Sequence, residues 1–284
     1  MEVHYDLDTL RTAIAGWKRQ GWRIALVPTM GNLHDGHLSL LRQARELADH
    51  TVVSIFVNPI QFGAGEDYER YPSTLEGDRA KLESAGLDLL FAPDLAQLYP
   101  GGTDEDTRVS VPGLSSILCG RFRPGHFSGV ATVVTKLFIN VQPDVALFGE
   151  KDYQQLLVIR RLVRDLCMPV EVLGMPIVRE TDGLAMSSRN AYLTPAERRR
   201  ATLLYQSLTA AAEALHQGRR DLAALEGEAA GRLEEAGFRP EYFSIRRNQD
   251  LGEPGPGDRD LRVLVAAWLG EARLIDNLRV ELPG

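Results

Sequence analysis

Residues 23–59 read RIALVPTMGNLHDGHLSLLRQARELADHTVVSIFVNP. A short apolar run at Arg23–Val27 ends at Pro28, an amphipathic stretch follows from His37 to Ala48, and a second apolar run spans Thr51–Val57. Short apolar runs bounded by turn residues are typical of buried strands, and a helical repeat between two of them is typical of a parallel sheet. The stretch therefore predicts a strand, a loop, a helix and a second strand, which is a β-α-β unit.

The same alternation continues on both sides of this unit. A first helix is predicted after Asp6 or Asp8, and residues 99–125, rich in Gly, Pro and polar side chains, are predicted to leave the sheet. Further helices are predicted over 75–84, 127–141 and 153–166, and further strands over 87–92, 144–148 and 170–173. Regular alternation of this kind predicts an α/β domain with an open, doubly wound parallel sheet over residues 1–176.

The pattern changes after residue 176. Thr194-Pro195-Ala196-Glu197 has the order of a capping box with proline in the first turn, which predicts the start of a long helix. A second helix is predicted at 221–236, and strands are predicted at 239–245, 261–269 and 273–280. Residues 177–284 are therefore predicted to form a smaller α+β domain at the C-terminus.

Composition excludes several classes of protein. The chain has 284 residues, 44% hydrophobic and 25% charged, as expected for a folded globular protein. Its net charge of -7 argues against a nucleic-acid partner. The sequence shows no apolar run of the roughly 18 residues that a membrane span needs, and MEVHYDLDTL does not resemble a secretory signal. Cys119 and Cys167 are interpreted as reduced thiols, with a disulfide as the alternative, so the predicted location is cytoplasmic.

The loop after the first of these strands is the first candidate for a ligand site. Gly31 and Gly36 allow close approach of the backbone to a ligand, and the following helix offers free N–H groups to an anion. His34 and His37 lie three residues apart in the first helical turn, where imidazole N–H groups can donate to phosphate. A His-x-x-His metal site and a helix start without function are the alternatives.

Two further stretches carry groups suited to phosphate. Residues 148–155, FGEKDYQQ, again join a strand end to a helix and supply Gly149, Lys151 and Asp152. Residues 186–190, MSSRN, supply two hydroxyls and a guanidinium just beyond a predicted turn. The alternatives are a turn of solvated charges and a polar loop. The amides of Asn58, Gln61 and Gln155, near other strand ends, could orient a small polar substrate. Arg123 and His126 bring another cation and imidazole to the start of a helix.

At this point the motifs resemble a known family. PTMGNLHDGH resembles the HxGH signature of the nucleotidylyltransferase superfamily, whose members bind ATP on a Rossmann-like sheet. QPDVALFGEKDYQQL, RPGHFSGVATVVTKLF, RETDGLAMSSRNAYL and RLIDN together resemble the pantothenate synthetase (pantoate–β-alanine ligase) family, in the family's order and over nearly the whole chain. The resemblance implies that a Rossmann-like domain, 1–176, binds ATP and pantoate, and that domain 177–284 covers the site.

The family's reaction is implied in turn. ATP and pantoate give pantoyl adenylate and pyrophosphate, and β-alanine then displaces AMP to form pantothenate. ATP would act as a substrate accompanied by Mg²⁺, and the protein would be a cytoplasmic homodimer. A nucleotidylyltransferase that leaves the nucleotide on its product, and a non-catalytic nucleotide-binding regulator, are the competing hypotheses.

The resemblance also implies roles for residues. His34, His37 and Lys151 would be catalytic, with His37 as proton donor. Pantoate would contact Gln61 and Gln155, β-alanine would contact Gln61, and Asn58 would support them. ATP would contact Met30, Gly31, His34, Gly36, His37, Gly149, Lys151, Asp152, Val178, Met186, Ser187, Ser188 and Arg189.

The chain departs from the family pattern at two adjoining places. It has Tyr71-Pro72-Ser73-Thr74 where Tyr-Pro-Arg-Thr is usual, and Gly77-Asp78 where an acidic pair is frequent. This leaves Asp78 as the candidate metal ligand.

Overall fold

The computed structural model describes residues 1–63, 65–71 and 74–283. The chain divides into two compact units, one made of Met1–Glu150 with Gln155–Pro176 and the other of Lys151–Gln154 with Ile177–Gly284. The turn Lys151–Gln154, assigned from the sequence to the N-terminal domain, therefore groups with the C-terminal unit. Pro72 and Ser73, where the chain departs from the family pattern, lie outside the described residues.

The first unit is built on a parallel sheet. Its strands pair in the order β1-β4-β3-β2-β5-β6, and every pairing is parallel. The doubly wound α/β architecture predicted from the sequence is therefore confirmed. The strands are β1 (Glu2–His4), β2 (Ile24–Thr29), β3 (His50–Ile55), β4 (Leu89–Phe91), β5 (Val145–Gly149) and β6 (Glu171–Met175).

Helices alternate with these strands along the chain. They are α1 (Leu7–Arg19), α2 (Asp35–Leu47), α3 (Leu75–Ser84), α4 (Leu95–Leu98), α5 (Cys119–Phe122), α6 (His126–Val141) and α7 (Tyr153–Asp165). Asp6 caps α1 as predicted, its carboxylate accepting from the Thr9 amide. Residues 99–125 run outside the sheet as expected and contain α5.

The order of the strands creates one special position. From β2 the chain winds through β3 to β4 on one side, whereas β5 and β6 lie on the other side of β2. β2 and β5 are direct parallel neighbours, with Ala25 opposite Val145. Ligands of doubly wound sheets bind outside the carboxyl ends of the strands at such a switch point. The loop that leaves β2 carries His34 and His37, and we call it the histidine loop. The turn that leaves β5 spans Gly149–Lys151.

One strand was not predicted. β1 has three residues and pairs in parallel with β4 at the edge of the sheet, with Val3 opposite Leu90. Three residues are too few for an alternating pattern to emerge. Its formation depends on the edge that β4 offers, which is a long-range contact.

The second unit is an antiparallel sheet with helices on one face. Its strands pair in the order β7-β8-β9, and the apolar side chains of β8 and β9 share a buried core with those of the helices. The α+β character predicted for this part of the chain is confirmed. The elements are α8 (Pro195–Ala201), α9 (Leu203–His216), α10 (Leu222–Glu235), β7 (Arg239–Arg247), β8 (Asp260–Leu269) and β9 (Ala272–Glu281).

The predicted capping box at Thr194 and Glu197 is present, but the long helix it opens is interrupted. α8 ends at Ala201 and α9 begins at Leu203. Between them, the Thr202 hydroxyl donates to the Arg199 carbonyl oxygen at 3.0 Å.

Cys119 is buried, Cys167 is exposed, and both are free thiols, as the sequence was interpreted. Among the helices of the described residues, none has the length and apolar character that crossing a bilayer requires.

Gly129 allows α6 to pack against the 3-10 turn Pro59–Gln61. A Cβ added there would lie 2.6 Å from the Ile60 carbonyl oxygen and 2.7 Å from the Gln61 nitrogen. We expect Gly129→Ala to displace this turn and to lower the free energy of unfolding by about 1–3 kcal/mol. Thermal and urea unfolding measure the change.

Gly16→Ala is the matched control. Gly16 lies inside α1, and a Cβ there would meet no described heavy atom within 4 Å. Without a clash, the better helix former should raise the free energy of unfolding by about 0.5–1 kcal/mol. Equal responses of the two variants would contradict the packing argument.

Candidate functional site

The histidine loop begins α2 with an unusual capping box. His34 is the N-cap, and its Nδ1 accepts from the Gly36 amide at 3.2 Å. The ring of His37, at the N3 position, reaches back, and its Nδ1 accepts from the His34 amide at 3.3 Å. The two rings lie 4.1 Å apart between centroids. The reciprocal bonds hold both rings over the first turn of the helix.

These bonds select the tautomer of each neutral ring. A backbone amide can only donate, so both Nδ1 atoms must accept and carry no proton. The proton of each neutral imidazole then resides on Nε2, so the donor atom of each ring is Nε2. Donors at this position suit phosphate oxygens or charge that develops on them.

Asp78, on α3, holds the same loop through hydrogen bonds to its backbone. It is fully buried, and its carboxylate accepts from the amides of Asn32 at 2.7 Å and Leu33 at 2.8 Å. The Thr74 hydroxyl donates to it at 3.1 Å. Gly31 adopts φ +86°, and a Cβ there would lie 3.2 Å from an Asp78 oxygen. Glycine and aspartate together therefore set the path of the loop.

A buried amide pair follows β3. Asn58 donates through Nδ2 to Gln61 Oε1 at 3.0 Å and to the Gly129 carbonyl at 3.1 Å, while the Tyr99 hydroxyl donates to Asn58 Oδ1 at 2.7 Å. A carbonyl only accepts, so the Gly129 contact fixes which end of the Asn58 amide is the NH₂ group. Gln61 is thereby oriented with its own NH₂ group toward Met30, whose Sδ is 3.0 Å away.

Tyr99 suits this task because it stays protonated. It is 2% exposed, and burial, with the nearby Asp106 carboxylate, raises the pKa of its phenol above the ordinary value. The hydroxyl therefore remains a donor to Asn58 at any physiological pH. The sequence offered no signal for it beyond an aromatic residue in an irregular segment.

Arg123 and His126 support the backbone of Gln61. His126 Nδ1 lies 2.8 Å from the Gln61 carbonyl oxygen and Nε2 lies 3.1 Å from an Arg123 nitrogen. Arg123 also forms a two-point ion pair with Glu66. Burial opposes ionisation of Glu66, but the Arg123 guanidinium keeps the pKa of this carboxyl below its ordinary value. These residues therefore hold the backbone of Gln61 in place.

The Lys151 turn belongs to the second unit and has its own contacts there. The Lys151 carbonyl accepts from the Asn277 side chain at 3.0 Å, and the Tyr153 hydroxyl donates to the Asn248 carbonyl at 2.9 Å. The Arg262 guanidinium stacks 3.4 Å from the Tyr153 ring centroid. The Lys151 ammonium is 3.8 Å from Asp152.

The third stretch also lies in the second unit, on a hairpin. The Met186 amide donates to the Val178 carbonyl at 3.0 Å, and Gly183, at φ +91°, forms the turn. Met186 leads into a short 3-10 helix, Ser188–Tyr192, capped by the Ser187 hydroxyl, which accepts from the Arg189 amide. The predicted hairpin is present, and the segment that carries the two serines and the arginine is an ordered turn.

A buried ion pair anchors the base of this hairpin. Arg179 contacts both oxygens of Asp276, at 2.6 and 2.9 Å, and its guanidinium lies 3.9 Å from the centroid of the Tyr205 ring. Burial raises the pKa of Asp276, while the Arg179 guanidinium opposes that shift. Asp276 and Asn277 are 3% and 2% exposed.

The predicted site residues fall into two groups. The first unit brings together the histidine loop, Met30, Gln61 and Asn58, and also contains Gly149 and Gln155. The second unit holds Lys151, Asp152, Val178, Met186 and Ser187–Arg189. Sequence reasoning assigned no role to Tyr99, Glu66, Arg262, Asp276 or Asn277. A charged and an amide residue inside an apolar strand pattern, as in RLIDN, was a usable signal for the last two.

Known proteins resemble this chain over its whole length. The family model described as pantoate-beta-alanine ligase matches residues 2–279. A pantothenate synthetase of Thioalkalivibrio sulfidiphilus is 59% identical, covering 100% of this chain and 99% of that protein. One of Hahella chejuensis is 55% identical, covering 99% of each.

Solved structures give the same result. Pantothenate synthetase from Thermus thermophilus is 49% identical with a TM-score of 0.93, covering 100% of both chains. Pantoate-beta-alanine ligase from Francisella tularensis, complexed with beta-gamma ATP and beta-alanine, is 34% identical with a TM-score of 0.83, covering 98% of this chain and 97% of that one. The chain belongs to the pantoate–β-alanine ligase family.

Proposed function

We propose that the chain condenses pantoate with β-alanine at the expense of ATP, through pantoyl adenylate, and releases AMP and pyrophosphate. The observation that carries this proposal is the capping box at the switch point of the sheet, in which the Nδ1 atoms of His34 and His37 accept backbone amides and so fix both imidazoles at the start of α2. The Gln61 amide contacts Met30 of the same loop, so the group proposed to orient the acid and the groups proposed to contact phosphate belong to one segment of the fold.

The reaction has two steps, and neither is an oxidation or a reduction. A pantoate carboxylate oxygen attacks the α-phosphorus of ATP, the bond from that phosphorus to the β-phosphate oxygen breaks, and pyrophosphate leaves. The β-alanine nitrogen then attacks the acyl carbon, the bond to the AMP oxygen breaks, and the amine loses a proton. Little covalent chemistry is asked of the protein, so orientation and stabilisation of developing charge supply the acceleration.

Each group of residues takes part of this work. The two histidines contact phosphate oxygens, with His37 as proton donor, and the Lys151 ammonium stabilises the charge on the α-phosphate. Met30, Gly31 and Gly36 let the loop backbone approach the nucleotide. The remaining ATP contacts are Gly149 and Asp152 for the ribose, Val178 and Met186 for adenine through their backbones, and Ser187, Ser188 and Arg189 for the outer phosphates.

The acid is oriented by amides. Gln61 presents its NH₂ group as a donor because Asn58 occupies its carbonyl oxygen. A donor fits an oxygen of pantoate, and Gln155 serves the same substrate. Gln61 also contacts β-alanine in the second step. A direct ion pair would lower the nucleophilicity of the carboxylate. Neutral donors orient the carboxylate and leave it reactive.

Mg²⁺ accompanies ATP and is held mainly by the phosphates, where it neutralises their charge. Among the described residues, no three His, Cys, Asp or Glu side chains gather in a way that could hold a metal ion. Both oxygens of Asp78 already accept hydrogen bonds from the loop. Its assignment as a magnesium ligand stays a prediction, and these surroundings favour a role in holding the loop.

The wider scheme follows the family. Residues 1–176 bind ATP and pantoate, and residues 177–284 cover the site. The enzyme is a cytoplasmic homodimer. Size measured in solution by light scattering tests the dimer independently of activity.

Product analysis tests the function directly. The purified chain, incubated with ATP, Mg²⁺, pantoate and β-alanine, should form AMP and pantothenate in equal amounts and no ADP. Omitting either the acid or the amine should stop net pantothenate formation. A product that retains the nucleotide would instead identify a nucleotidylyltransferase, and nucleotide binding without turnover would identify a regulator.

The capping box allows the chemistry of His37 to be separated from its structural role. Glutamine at the N3 position can still accept the N-cap amide, as in common capping boxes. We expect His37→Gln to slow the adenylate-forming step by about 10²- to 10³-fold with little change in melting temperature. Pyrophosphate release in single-turnover experiments measures this step.

His37→Ala provides the comparison. It should slow the first step as much as His37→Gln and also lower the free energy of unfolding by about 1 kcal/mol, because the cap is lost. The attack of β-alanine on preformed pantoyl adenylate should be less affected in both variants. Equal losses in the two half-reactions would contradict the assignment of His37 to the first step.

The two roles considered for Asp78 predict different responses to magnesium. In Asp78→Asn an amide NH₂ faces a backbone N–H, so the loop should loosen, stability should fall by about 1–3 kcal/mol and the KM for ATP should rise. If Asp78 holds the loop, raising Mg²⁺ will not restore activity. Restoration by excess Mg²⁺ would establish it as a metal ligand.

Glu76→Gln is the control for the Asp78 experiment. Glu76 lies on the same helix with its side chain 91% exposed. Its replacement should leave stability, the KM for ATP and the dependence on Mg²⁺ unchanged.

A further inference from the structure

The strand β9 carries two adjacent buried polar residues that the proposed chemistry does not use. Asp276 and Asn277 stand inside a strand whose other buried side chains are mostly apolar. Neighbouring residues of a strand point to opposite faces of its sheet. Leu274, Asp276 and Val280 share one face, and Leu274 and Val280 belong to the core that the helices of this unit complete. Asn277 therefore points to the opposite face.

Each of the two residues holds a different motif. On the helix-covered face, Asp276 binds Arg179 at the base of the hairpin that leads to Met186 and Ser187–Arg189. On the opposite face, the Asn277 amide donates to the Lys151 carbonyl at 3.0 Å. One peptide bond of β9 therefore links the anchors of two stretches that the proposed function places on ATP.

The orientation of the Asn277 side chain is determined by its neighbour. Arg262, on β8, donates to Asn277 Oδ1. The residue opposite Arg262 is Arg279, so Asn277 is its diagonal partner on the same face. Arg262 is itself held by Asn248 Oδ1 at 2.8 Å and by stacking on Tyr153. Because a guanidinium can only donate, the NH₂ group of Asn277 must be the end that faces Lys151.

We propose that Asn277 is a positioning residue for Lys151, and that β9, through Asp276 and Asn277, keeps the ammonium of Lys151 and the Ser187–Arg189 turn in one fixed spacing. This inference rests on the proposed function, since it assigns Asn277 to the same reaction. Its physical basis is that a point charge on a flexible side chain stabilises a transition state only if its backbone is held in place.

Asn277→Asp is the sharpest variant. It keeps an oxygen for Arg262 but replaces the donor to the Lys151 carbonyl with a second oxygen. The turnover number for AMP formation should fall by about 10- to 100-fold, and the KM for ATP should change less than the turnover number, because the charge on the α-phosphate grows in the transition state. Asn277→Ala repeats the measurement without the added charge and replaces the first variant if that one does not fold.

A double-mutant cycle distinguishes positioning from general destabilisation. If Asn277 acts through Lys151, then Asn277→Asp should cause no further loss in a Lys151→Ala background, because the group it positions is gone. Losses that multiply in the double variant would overturn the proposal. So would wild-type turnover in Asn277→Asp.

Glu241→Gln is the matched control for stability. Glu241 pairs with Arg273 in the same sheet, with side-chain exposures of 13% and 9%, and it contacts neither motif. It should lower the melting temperature and leave the turnover number unchanged; an equal loss of turnover would overturn the proposal. A wild-type chain that forms no AMP would reject the proposed function itself, an outcome distinct from a failed cycle.

Discussion

The parallel pairing of β2 with β5 is the constraint on which the first unit depends. These two strands are interior neighbours in the sheet, and the chain winds away from them in opposite directions. Because they are parallel neighbours, their carboxyl ends lie side by side. The loop of His34 and His37 leaves one end, and the turn that follows Gly149 leaves the other. The proposed function draws on groups from both of these segments, which are distant in the sequence.

The histidine loop is held by hydrogen bonds to its backbone as well as by the burial of Leu33 in the core. Two imidazoles accept backbone amides at the start of α2, and a buried carboxylate accepts from two successive amides of the same loop. Both arrangements satisfy N–H groups that a tight turn would otherwise leave without partners. The side chains that satisfy the backbone of this loop therefore include the two imidazoles that the proposed function places on phosphate.

The second unit shows a different solution. Its sheet buries apolar residues on the face covered by helices, while the other face carries Arg262 and Asn277. The turn that contains Lys151 contacts that polar face, which explains why four residues from the middle of the chain group with the C-terminal unit. A lysine that is close in sequence to β5 is thus held by residues more than a hundred positions away. Positioning of this charge is a tertiary property.

Pattern alone predicted most elements, but contacts between distant residues decided the rest. The alternation of apolar runs and helical repeats predicted the α/β class, most of the strands and the capped start of α8, because side-chain period and turn chemistry are local properties. It missed β1, whose pairing depends on β4, and the interruption at Thr202, between α8 and α9.

The same division holds for the site. The sequence by itself determined which groups are available, namely the histidine pair, the lysine turn, the serine–arginine segment and the amides, since their motifs are contiguous. Only the tertiary structure decided which of them are held and how. Tyr99 donates a hydrogen bond to Asn58, Asp78 accepts from the amides of the histidine loop, and Asn277 donates to the Lys151 carbonyl. Those partners are distant in the chain and become neighbours only when buried polar atoms must find one another during folding.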